Sequence, residues 1–475
     1  MRCRIYGTSA GGSDTVSMTR AAARRLGLYG RKTVTVKVGS RSVRAGLKIL
    51  LKGSSTTIVM NRTLISALGL PKMINLRATG QGGVLRIGPI VGILMPGARG
   101  GVSPFGNMTL GTNYFIQEGR RASVLPIAFT VKGINFKRGV LKGYTLVMGA
   151  NPYWVRRVLP IPDVVFDQVT VRRKDRSAEV REVRRKLAER GIPYFNPGFF
   201  DKWDLHNRLM QCEELQPHLP ETYLLTVENL RLAAEKYNRL FIKPVEGSLG
   251  RHINVLLKNK EHGWTLRRAS RWSRRELITD LAAVPGKLPK IEPGTYLVQQ
   301  GLDLCRCRGR PIDIRVLAQR NLTGKWRVTK FFARVPPRGQ LIANITRGAK
   351  GMPVPWTLAH CFRHGKVVVI RRQLVSLALK VCRYLEKTID GHLGELGVDL
   401  GVDTKGHVWI IEVNAKPHRK AYEDIEERPG ARRSYRRPML FAAYLAGFHK
   451  SQGGAAKAQS GKEVKDDDDA PQSDS

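Results

Sequence analysis

Hydrophobic and polar positions along the first 87 residues repeat a short pattern twice. The stretch "TRAAARRLGLYGRKTVTVKVGS" at 19–40 is answered by "NRTLISALGLPKMINLRATG" at 61–80. Each copy predicts a short helix that ends at Leu-Gly-Leu, followed by an alternating strand. A duplicated helix–turn–strand unit favours a small β-rich, barrel-like domain over 1–87, of double-psi type.

The hydrophobic pattern then changes to continuous apolar runs separated by helical periodicity. Buried strands are predicted at 90–95, 122–129 and 162–169, with helices near 105–119 and 176–191. This indicates an α/β domain over 88–197. Helices and strands alternate again over 198–448. The last segment, 449–475, is rich in Gly, Ala, Ser and Lys with an Asp run, so we expect a disordered, solubilising tail; the alternative is that the Asp run folds back on the basic body.

Charge adds a second constraint, because the 475 residues include 82 Lys and Arg against 38 Asp and Glu, a net charge of +44. Such a charge attracts polyanions, although a soluble enzyme with a solvated basic surface is the alternative. The six cysteines are scattered, which argues against a disulfide framework and favours a reducing cytosol. The N-terminus lacks an apolar signal segment, and no apolar run approaches the ~20 residues of a membrane span.

A candidate phosphate-binding loop lies in "RLFIKPVEGSLGRHINVLLK" at 239–258, which predicts strand, glycine-rich loop and strand. Lys243 follows the first strand directly. Small residues let backbone N–H groups approach phosphate oxygens, and a lysine adds a point charge. The loop would fold over a nucleotide as a lid; a glycine-rich surface hairpin is the alternative. Its candidate residues are Glu246, Gly247, Ser248 and Gly250.

Two further stretches carry groups suited to a nucleotide. "TYLVQQGLDL" at 295–304 is a strand whose edge, at Gln299 and Gln300, could meet a purine ring, or could be an ordinary edge strand. The stretch 311–335 predicts a hairpin with Asp313 and Arg315 on one face. Guanidinium groups match phosphate bidentately. Arg315 and Arg334 are therefore candidates to face a triphosphate. The loop 341–351 adds two further candidates, Asn344 and Arg347.

A candidate metal site lies in "GELGVDLGVDTKGHVWIIEVNAKP" at 394–417, which predicts a hairpin turning at Asp403–Gly406. If Asp403 pairs with Gly406, Asp399 lies opposite Ile410 and shares a face with Ile410, Glu412 and Asn414. A three-residue loop would instead put Asp399 on the other face. In the first register three oxygen-bearing side chains converge, which suits Mg²⁺. The alternative is a polar strand end paired with a neighbouring arginine.

Taken in their order along the chain, these stretches resemble the ATP-grasp superfamily. They most closely resemble its YheC/YheD-type endospore coat-associated proteins. The matching phrases span about residues 195–420 and include "FNPGFFDKWDLHNRL", "FIKPVEGSLGRHI", "PIDIRVLAQ" and "WIIEVNAKP". The resemblance implies an ATP-grasp fold after an α/β pre-ATP-grasp domain. It also implies ATP and one or two Mg²⁺ ions, a carboxylate and an amine as substrates, and a cytoplasmic protein associated with the spore coat.

The resemblance also implies individual functions. Lys202 and Lys243 would contact the phosphates, Gln299 and Gln300 the adenine, and Asp399, Glu412 and Asn414 the magnesium. Arg315 and Arg334 would stabilise the transferred phosphoryl group, with Asn344 and Arg347 facing phosphate and acceptor. Gln300 stands where a glutamate is frequent, and Gly397 where an arginine is common, so Arg315 is the candidate substitute. The hypotheses left open are a carboxylate–amine ligase, a coat-associated protein that binds ATP without turnover, and a polyanion-binding protein.

Overall fold

The computed structural model of the chain describes residues 1–8, 12–247, 252–259, 263–268, 275–289, 294–340, 348–419 and 429–449. The chain forms two compact units. Unit 1 holds Met1–Pro197, Arg320–Lys325 and the described C-terminal residues 429–449. Unit 2 holds Gly198–Gln319 and the described part of Trp326–Ile425. The three-domain division expected above stays a prediction.

Unit 1 begins with a closed seven-stranded barrel in the order β1-β5-β2-β4-β3-β7-β6. Its strands and two helices are β1 (Arg2–Thr8), β2 (Thr15–Thr19), α1 (Arg20–Arg25), β3 (Thr33–Val38), β4 (Arg41–Leu50), β5 (Thr57–Asn61), α2 (Arg62–Leu68), β6 (Met73–Gln81) and β7 (Val84–Gly88). Thr19 and Asn61 cap α1 and α2 by accepting backbone N–H bonds three residues on. The strands before the two helices pair with each other, Val16 opposite Met60. The internal repeat therefore is a structural duplication, and the barrel-like prediction is confirmed.

The rest of unit 1 is a mixed sheet in the order β10-β11-β9-β8-β13-β14, with β12 paired to β11. Its elements are β8 (Ile90–Leu94), α3 (Thr109–Arg121), β9 (Leu125–Phe129), β10 (Ile134–Asn135), β11 (Val140–Val147), β12 (Tyr153–Pro160), β13 (Val164–Asp167), α4 (Arg172–Asp175), α5 (Ala178–Glu189), β14 (Tyr194–Phe195) and, from the C-terminal segment, α10 (Pro429–Leu445). The central strands β8, β9 and β13 are buried on both faces and parallel. One face packs against α3 and α10 through Phe115, Phe166 and Phe441.

Unit 2 contains a six-stranded sheet in the order β15-β20-β16-β17-β18-β19. Its elements are α6 (Lys202–Met210), β15 (Thr222–Leu224), α7 (Val227–Lys236), β16 (Arg239–Pro244), β17 (Asn254–Asn259), β18 (Gly263–Arg268), β19 (Arg275–Ile278) and β20 (Tyr296–Gln300). Leu240, Ile242 and Val298 pack with α7 on one face. Alternation then puts Phe241 and Lys243 on the other face.

Unit 2 also contains a five-stranded sheet in the order β25-β24-β23-β26-β27. Its elements, with a two-stranded β21–β22 ribbon, are β21 (Arg306–Cys307), β22 (Arg310–Pro311), β23 (Asp313–Arg320), β24 (Trp326–Val335), β25 (Lys350–Met352), α8 (Val354–Leu358), α9 (His364–Thr388), β26 (Glu395–Val402) and β27 (Val408–Asn414). One face packs on α9 through an apolar core that includes Ile314, Leu374 and Val398. Among the described residues, no helix combines the length and apolar composition that crossing a bilayer requires.

Candidate active site

The face of the five-stranded sheet opposite α9 carries the charged residues. Ile314, Val398 and Leu400 point into the core with α9. Their neighbours Arg315 and Asp399 therefore point the other way, and they lie directly opposite each other across β23 and β26. The shared face of Asp313 and Arg315 needs only strand alternation, which is why the sequence could predict it.

The hairpin of β26 and β27 has a different register from the one predicted. Its loop has three residues, since Asp403 N–H bonds to the carbonyl of His407, and Val402 lies opposite Val408. A bulge follows, so Leu400 pairs with Ile410 whereas Asp399 pairs with Glu412. The predicted pairing of Asp399 with Ile410 is wrong, as is the shared face of Ile410 and Glu412.

The bulge nevertheless brings the expected carboxylates together. Because it adds one residue to β27, the side chains on either side of it swap faces. Ile410 and Val413 both point into the core, and Glu412 lies opposite Asp399 on the polar face. Asn414 follows on that face, opposite Gly397. Asp399 is 3% exposed, whereas the Glu412 side chain is 35% exposed.

Two arginines and two aspartates form a buried, charge-balanced quartet on this face. Arg315 donates from Nε and, at 2.9 Å, from Nη2 to the carboxylate of Asp399. Arg334 donates in the same forked way to Asp313, with Nη2 2.8 Å from Oδ2. The Nη2 of Arg334 also lies 3.0 Å from Oδ2 of Asp399, which joins the two pairs.

Burial and the guanidinium charges act in opposite directions on the two carboxylates. Burial alone would raise the pKa of Asp399, but Arg315 and Arg334 outweigh it and hold that pKa below its ordinary value. Burial raises the pKa of Asp313 to about 6 despite the opposing charge of Arg334. Asp399 is therefore ionised at neutral pH, and Asp313, with a pKa of about 6, is mostly ionised there as well but takes up a proton in mildly acidic solution.

Arg315 also covers the backbone of Gly397. A Cβ atom at Gly397 would lie 3.5 Å from Nη1 of Arg315 and 3.0 Å from Cβ of Pro417. The guanidinium of Arg315 thus lies beside the backbone position at which a side chain of residue 397 would begin. That Arg315 substitutes for an arginine at position 397 stays a prediction.

The six-stranded sheet and α6 supply two lysines. Lys202 is the first residue of α6; its Nζ donates to the carbonyl of Gly247 at 3.0 Å and lies 3.9 Å from Oε1 of Glu412. Lys243 Nζ lies 2.5 Å from Oε1 of Gln299. Burial lowers the pKa of Lys243 to about 8; Glu412 opposes this shift and Lys202 adds to it. The lysines and the acidic hairpin therefore meet at Glu412.

A family model described as "YheC/D like ATP-grasp" matches residues 191–445, more than half of the chain. The chain belongs to this family. The resemblance seen in the sequence is confirmed, and with it the ATP-grasp fold class.

The chain is also similar to curated proteins and to solved structures. The endospore coat-associated protein YheD of Bacillus subtilis (strain 168) is 28% identical over 397 residues, 82% of this chain and 86% of the relative. The endospore coat-associated protein YheC of the same strain is 23% identical over 301 residues, 62% and 82% of the two chains. Among solved structures, VanG D-Ala:D-Ser ligase from Enterococcus faecalis is similar, with 12% identity, TM-score 0.44 and coverage of 76% of this chain and 100% of that one.

In this ATP-grasp chain the two glutamines predicted to contact the adenine, Gln299 and Gln300, point to opposite faces of β20. Gln299 shares the face of Lys243 and also donates to Oγ1 of Thr222 at 2.9 Å. Gln300 lies opposite Leu240 on the α7 side, and its Oε1 accepts from the backbone N–H of Glu221 at 3.1 Å. Gln299 is therefore the glutamine whose side chain contacts Lys243, which is predicted to bind phosphate.

Part of the predicted site lies outside the described residues, namely Ser248, Gly250, Asn344 and Arg347. Of the same glycine loop, Glu246 is described and exposed, and Gly247 lies against Lys202 and Pro244. These functions stay predictions.

A buried polar network next to the quartet was missed by the sequence analysis. Glu395 is fully buried and accepts from Nε2 of Gln319 at 2.8 Å and from Arg419. Thr329 in turn donates to Oε1 of Gln319 at 2.7 Å. Glu395 and Asp399 are four residues apart on one strand, so alternation could have placed both on the polar face. The network anchors Arg419, which follows the acidic hairpin, to β26.

Proposed function

We propose that this protein is an ATP- and Mg²⁺-dependent ligase that activates a carboxylate as an acylphosphate and joins it to an amine. One observation carries the proposal. Lys202 of α6 comes within 3.9 Å of Glu412, so that cations for phosphate oxygens lie beside carboxylates for a divalent ion. Lys243, whose pKa Lys202 and Glu412 both influence, belongs to the same cluster. Family membership supports the same reaction class.

The residues present suit magnesium in their chemistry. Asp399, Glu412 and Asn414 offer only hard oxygen ligands, and register puts Asp399 opposite Glu412. The described residues hold no group of three or more His, Cys, Asp and Glu placed to hold a metal ion. The amide of Asn414, ATP phosphates and water would complete the shell. Since Asp399 is already bonded to two guanidiniums, Glu412 is the more available carboxylate.

The charged groups would divide the work of phosphoryl transfer between them. Bound magnesium would neutralise charge on the phosphates of ATP. Lys202 and Lys243 would hold phosphate oxygens as point charges. Arg315 and Arg334, kept rigid by Asp399 and Asp313, would stabilise the negative charge that develops on the transferred group. The amine then attacks the acylphosphate, and phosphate leaves.

We also propose a link to the spore coat. The curated relatives YheD and YheC are both named endospore coat-associated proteins. A ligase acting on a peptide or polymer during spore formation would reconcile that name with ATP-grasp chemistry. The carboxylate and the amine are to be found by a screen of amino acids and small peptides for Mg²⁺-dependent ADP release.

The test of the reaction is Glu412→Gln. The substitution keeps the size of the side chain and one acceptor oxygen but removes the carboxylate charge. We expect Mg²⁺-dependent ADP release to fall by about 100-fold or more, as for other groups that act on developing charge. Because the Glu412 side chain is 35% exposed, the free energy of unfolding should change little.

Glu235→Gln on the exposed face of α7 is the matched control and should leave turnover unchanged. Equal turnover in the Glu412→Gln and control proteins would contradict the proposed site. Tight ATP binding by the unaltered protein without ADP release, under every substrate tried, would instead assign nucleotide binding without turnover. That alternative is favoured by the full engagement of Asp399 with guanidiniums.

A further inference from the structure

The N-terminal barrel carries most of its charge with one sign. Residues 1–88 contain sixteen Lys and Arg but a single acidic residue, Asp14. The remainder of the chain is far less biased, with 66 Lys and Arg to 37 Asp and Glu. The net charge of +15 on these 88 residues is thus more than twice as dense as the +29 on the other 387, because acidic residues are nearly absent from the barrel.

Most of these cations are exposed and, among the described residues, have no carboxylate partner. Thirteen of the sixteen are exposed, and within the described residues none of the thirteen forms an ion pair with a carboxylate. Unpaired like charges repel and lower the stability of a compact domain. An external anion that binds across the surface would relieve that repulsion.

Several guanidiniums are held in place by tyrosines. Arg20 and Arg24 of α1 both lie over the ring of Tyr29, at 5.8 and 5.0 Å from its centre. Arg4 on β1 donates to the hydroxyl of Tyr6 at 3.0 Å and lies over its ring. Side chains that are already ordered lose less entropy on binding. The Arg20–Arg24 pair in particular presents two neighbouring forks to an anion.

We propose that this surface binds an acidic polypeptide through its carboxylates. Arginine forks match carboxylate and phosphate equally well, so the aromatic residues decide between the two. Single-stranded nucleic acid is held largely by stacking of bases on aromatic rings. Tyr6 and Tyr29 are the only aromatic residues of 1–88, and guanidiniums already lie over both rings. A chain of carboxylates needs only the cations.

This inference deepens the proposed function, on which its second part rests. A ligase that activates carboxylates would find them in high local concentration on an acidic polypeptide held by its own barrel. The substrate class would then be a Glu- or Asp-rich chain, with a carboxylate of that chain forming the acylphosphate. Its phosphoryl group comes from ATP, and phosphate leaves when the amine attacks.

The first measurement is binding without ATP or Mg²⁺, by fluorescence anisotropy of a labelled oligoglutamate with the full chain. The double variant Arg20→Gln/Arg24→Gln should weaken binding about three- to tenfold, since two surface ion pairs are lost. The affinity of Arg20→Lys/Arg24→Lys should lie between those of the unaltered protein and the glutamine variant, because the charge remains but the forked guanidinium is lost. Added salt should weaken binding by the unaltered protein.

The matched control is Arg372→Gln/Arg383→Gln on the exposed face of α9, which removes the same charge. An equal loss of oligoglutamate affinity in this control would contradict the assignment of binding to the barrel surface. Tighter binding of an oligothymidylate of the same length, lost in the barrel variant, would assign nucleic acid instead. Failure of both polymers to bind would also overturn the inference.

The second measurement separates this inference from the proposed reaction. With oligoglutamate as substrate, the barrel variant should raise the KM for oligoglutamate by the factor seen in binding. Barrel-dependent binding without any ADP release would leave the surface assignment standing and contradict the ligase. ADP release with a small acid, but no binding of oligoglutamate, would support the ligase and contradict the assignment of the barrel surface.

Discussion

In the barrel of unit 1, thirteen exposed Lys and Arg side chains have no carboxylate partner in the part of the chain that the structure describes, whereas on the five-stranded sheet of unit 2 two buried arginines are matched by two aspartates. The two regions differ because the dielectric constant is high at the solvent-exposed barrel surface and low around the buried arginines. An exposed cation is screened by water and costs little, but a buried cation needs a bonded counter-charge. The barrel is therefore suited to binding a mobile anion, and the quartet to fixing charges in a defined geometry.

The sharpest way to break this comparison is to remove one cation from each region. Arg334→Met leaves the buried Asp313 without its forked partner, and we expect the free energy of unfolding to fall by about 3–5 kcal/mol. Lys48→Met, on the exposed side of β4, should change it by less than about 0.5 kcal/mol. Urea denaturation of both variants measures the two effects.

The loss in Arg334→Met should depend on pH. The pKa of Asp313 is raised by burial to about 6 even with Arg334 present, and it should rise further without it. A folded-state pKa above the unfolded one means that folding favours the protonated acid, so stability from this group falls as pH rises. The variant should thus be more destabilised at pH 8 than at pH 5. A loss that is the same at both pH values would show that Asp313 is not the group left uncompensated.

The second prediction concerns Lys243, a cation with no forked carboxylate partner inside the site. Burial lowers its pKa to about 8, so its charge is lost as pH rises above that value. Lys243→Met should weaken ATP binding about 10- to 100-fold at pH 7, the effect of losing one hydrogen bond to a charged group. ATP affinity of the unaltered protein should itself decline between pH 7 and 9, by about tenfold if only the protonated lysine binds.

Calorimetric titration with ATP across this pH range makes the measurement. Lys258→Met, on the exposed end of β17, is the control and should keep both the affinity and its pH dependence. If Lys243→Met retained the decline of the unaltered protein, another group would be responsible.

Much of this charged face could be predicted from local pattern alone. Alternation along β23 was enough to put Asp313 and Arg315 on one side, and the apolar run of β27 was enough to anchor the hairpin in the core. The bulge at Ile411 could not be predicted, because Ile410 and Ile411 are equally apolar and nothing local says which one leaves the core face. The even register expected for the hairpin therefore failed, while a longer loop and the bulge together restored the facing of Asp399 and Glu412.

Pairings between distant strands were also beyond local pattern. The sequence predicted β23 and β24 as one hairpin, but the contact of Arg315 with Asp399 depends on the distant strand β26 lying on the other side of β23. Glu395 differs, since its spacing from Asp399 marked it as a second carboxylate of the same face. No function was predicted for Glu395, because Glu412 and Asn414 interrupt an apolar strand more clearly than Glu395 does.

The smallest predicted effect comes from Gly397, where Arg315 covers bare backbone. Gly397→Ala would place a Cβ 3.0 Å from that of Pro417, which must shift slightly, and in ordinary contact with Nη1 of Arg315 at 3.5 Å. We expect a loss of about 1 kcal/mol in the free energy of unfolding, typical of mild overpacking, together with slower ADP release because the new methyl group lies against the Arg315 guanidinium. Gly365→Ala, in open space on α9, should be neutral or slightly stabilising because it only removes backbone freedom. Urea denaturation and steady-state turnover of both variants decide the matter. If Gly397→Ala matched Gly365→Ala in both measurements, the position of Arg315 over residue 397 would carry no functional weight, and the quartet would be a structural device alone.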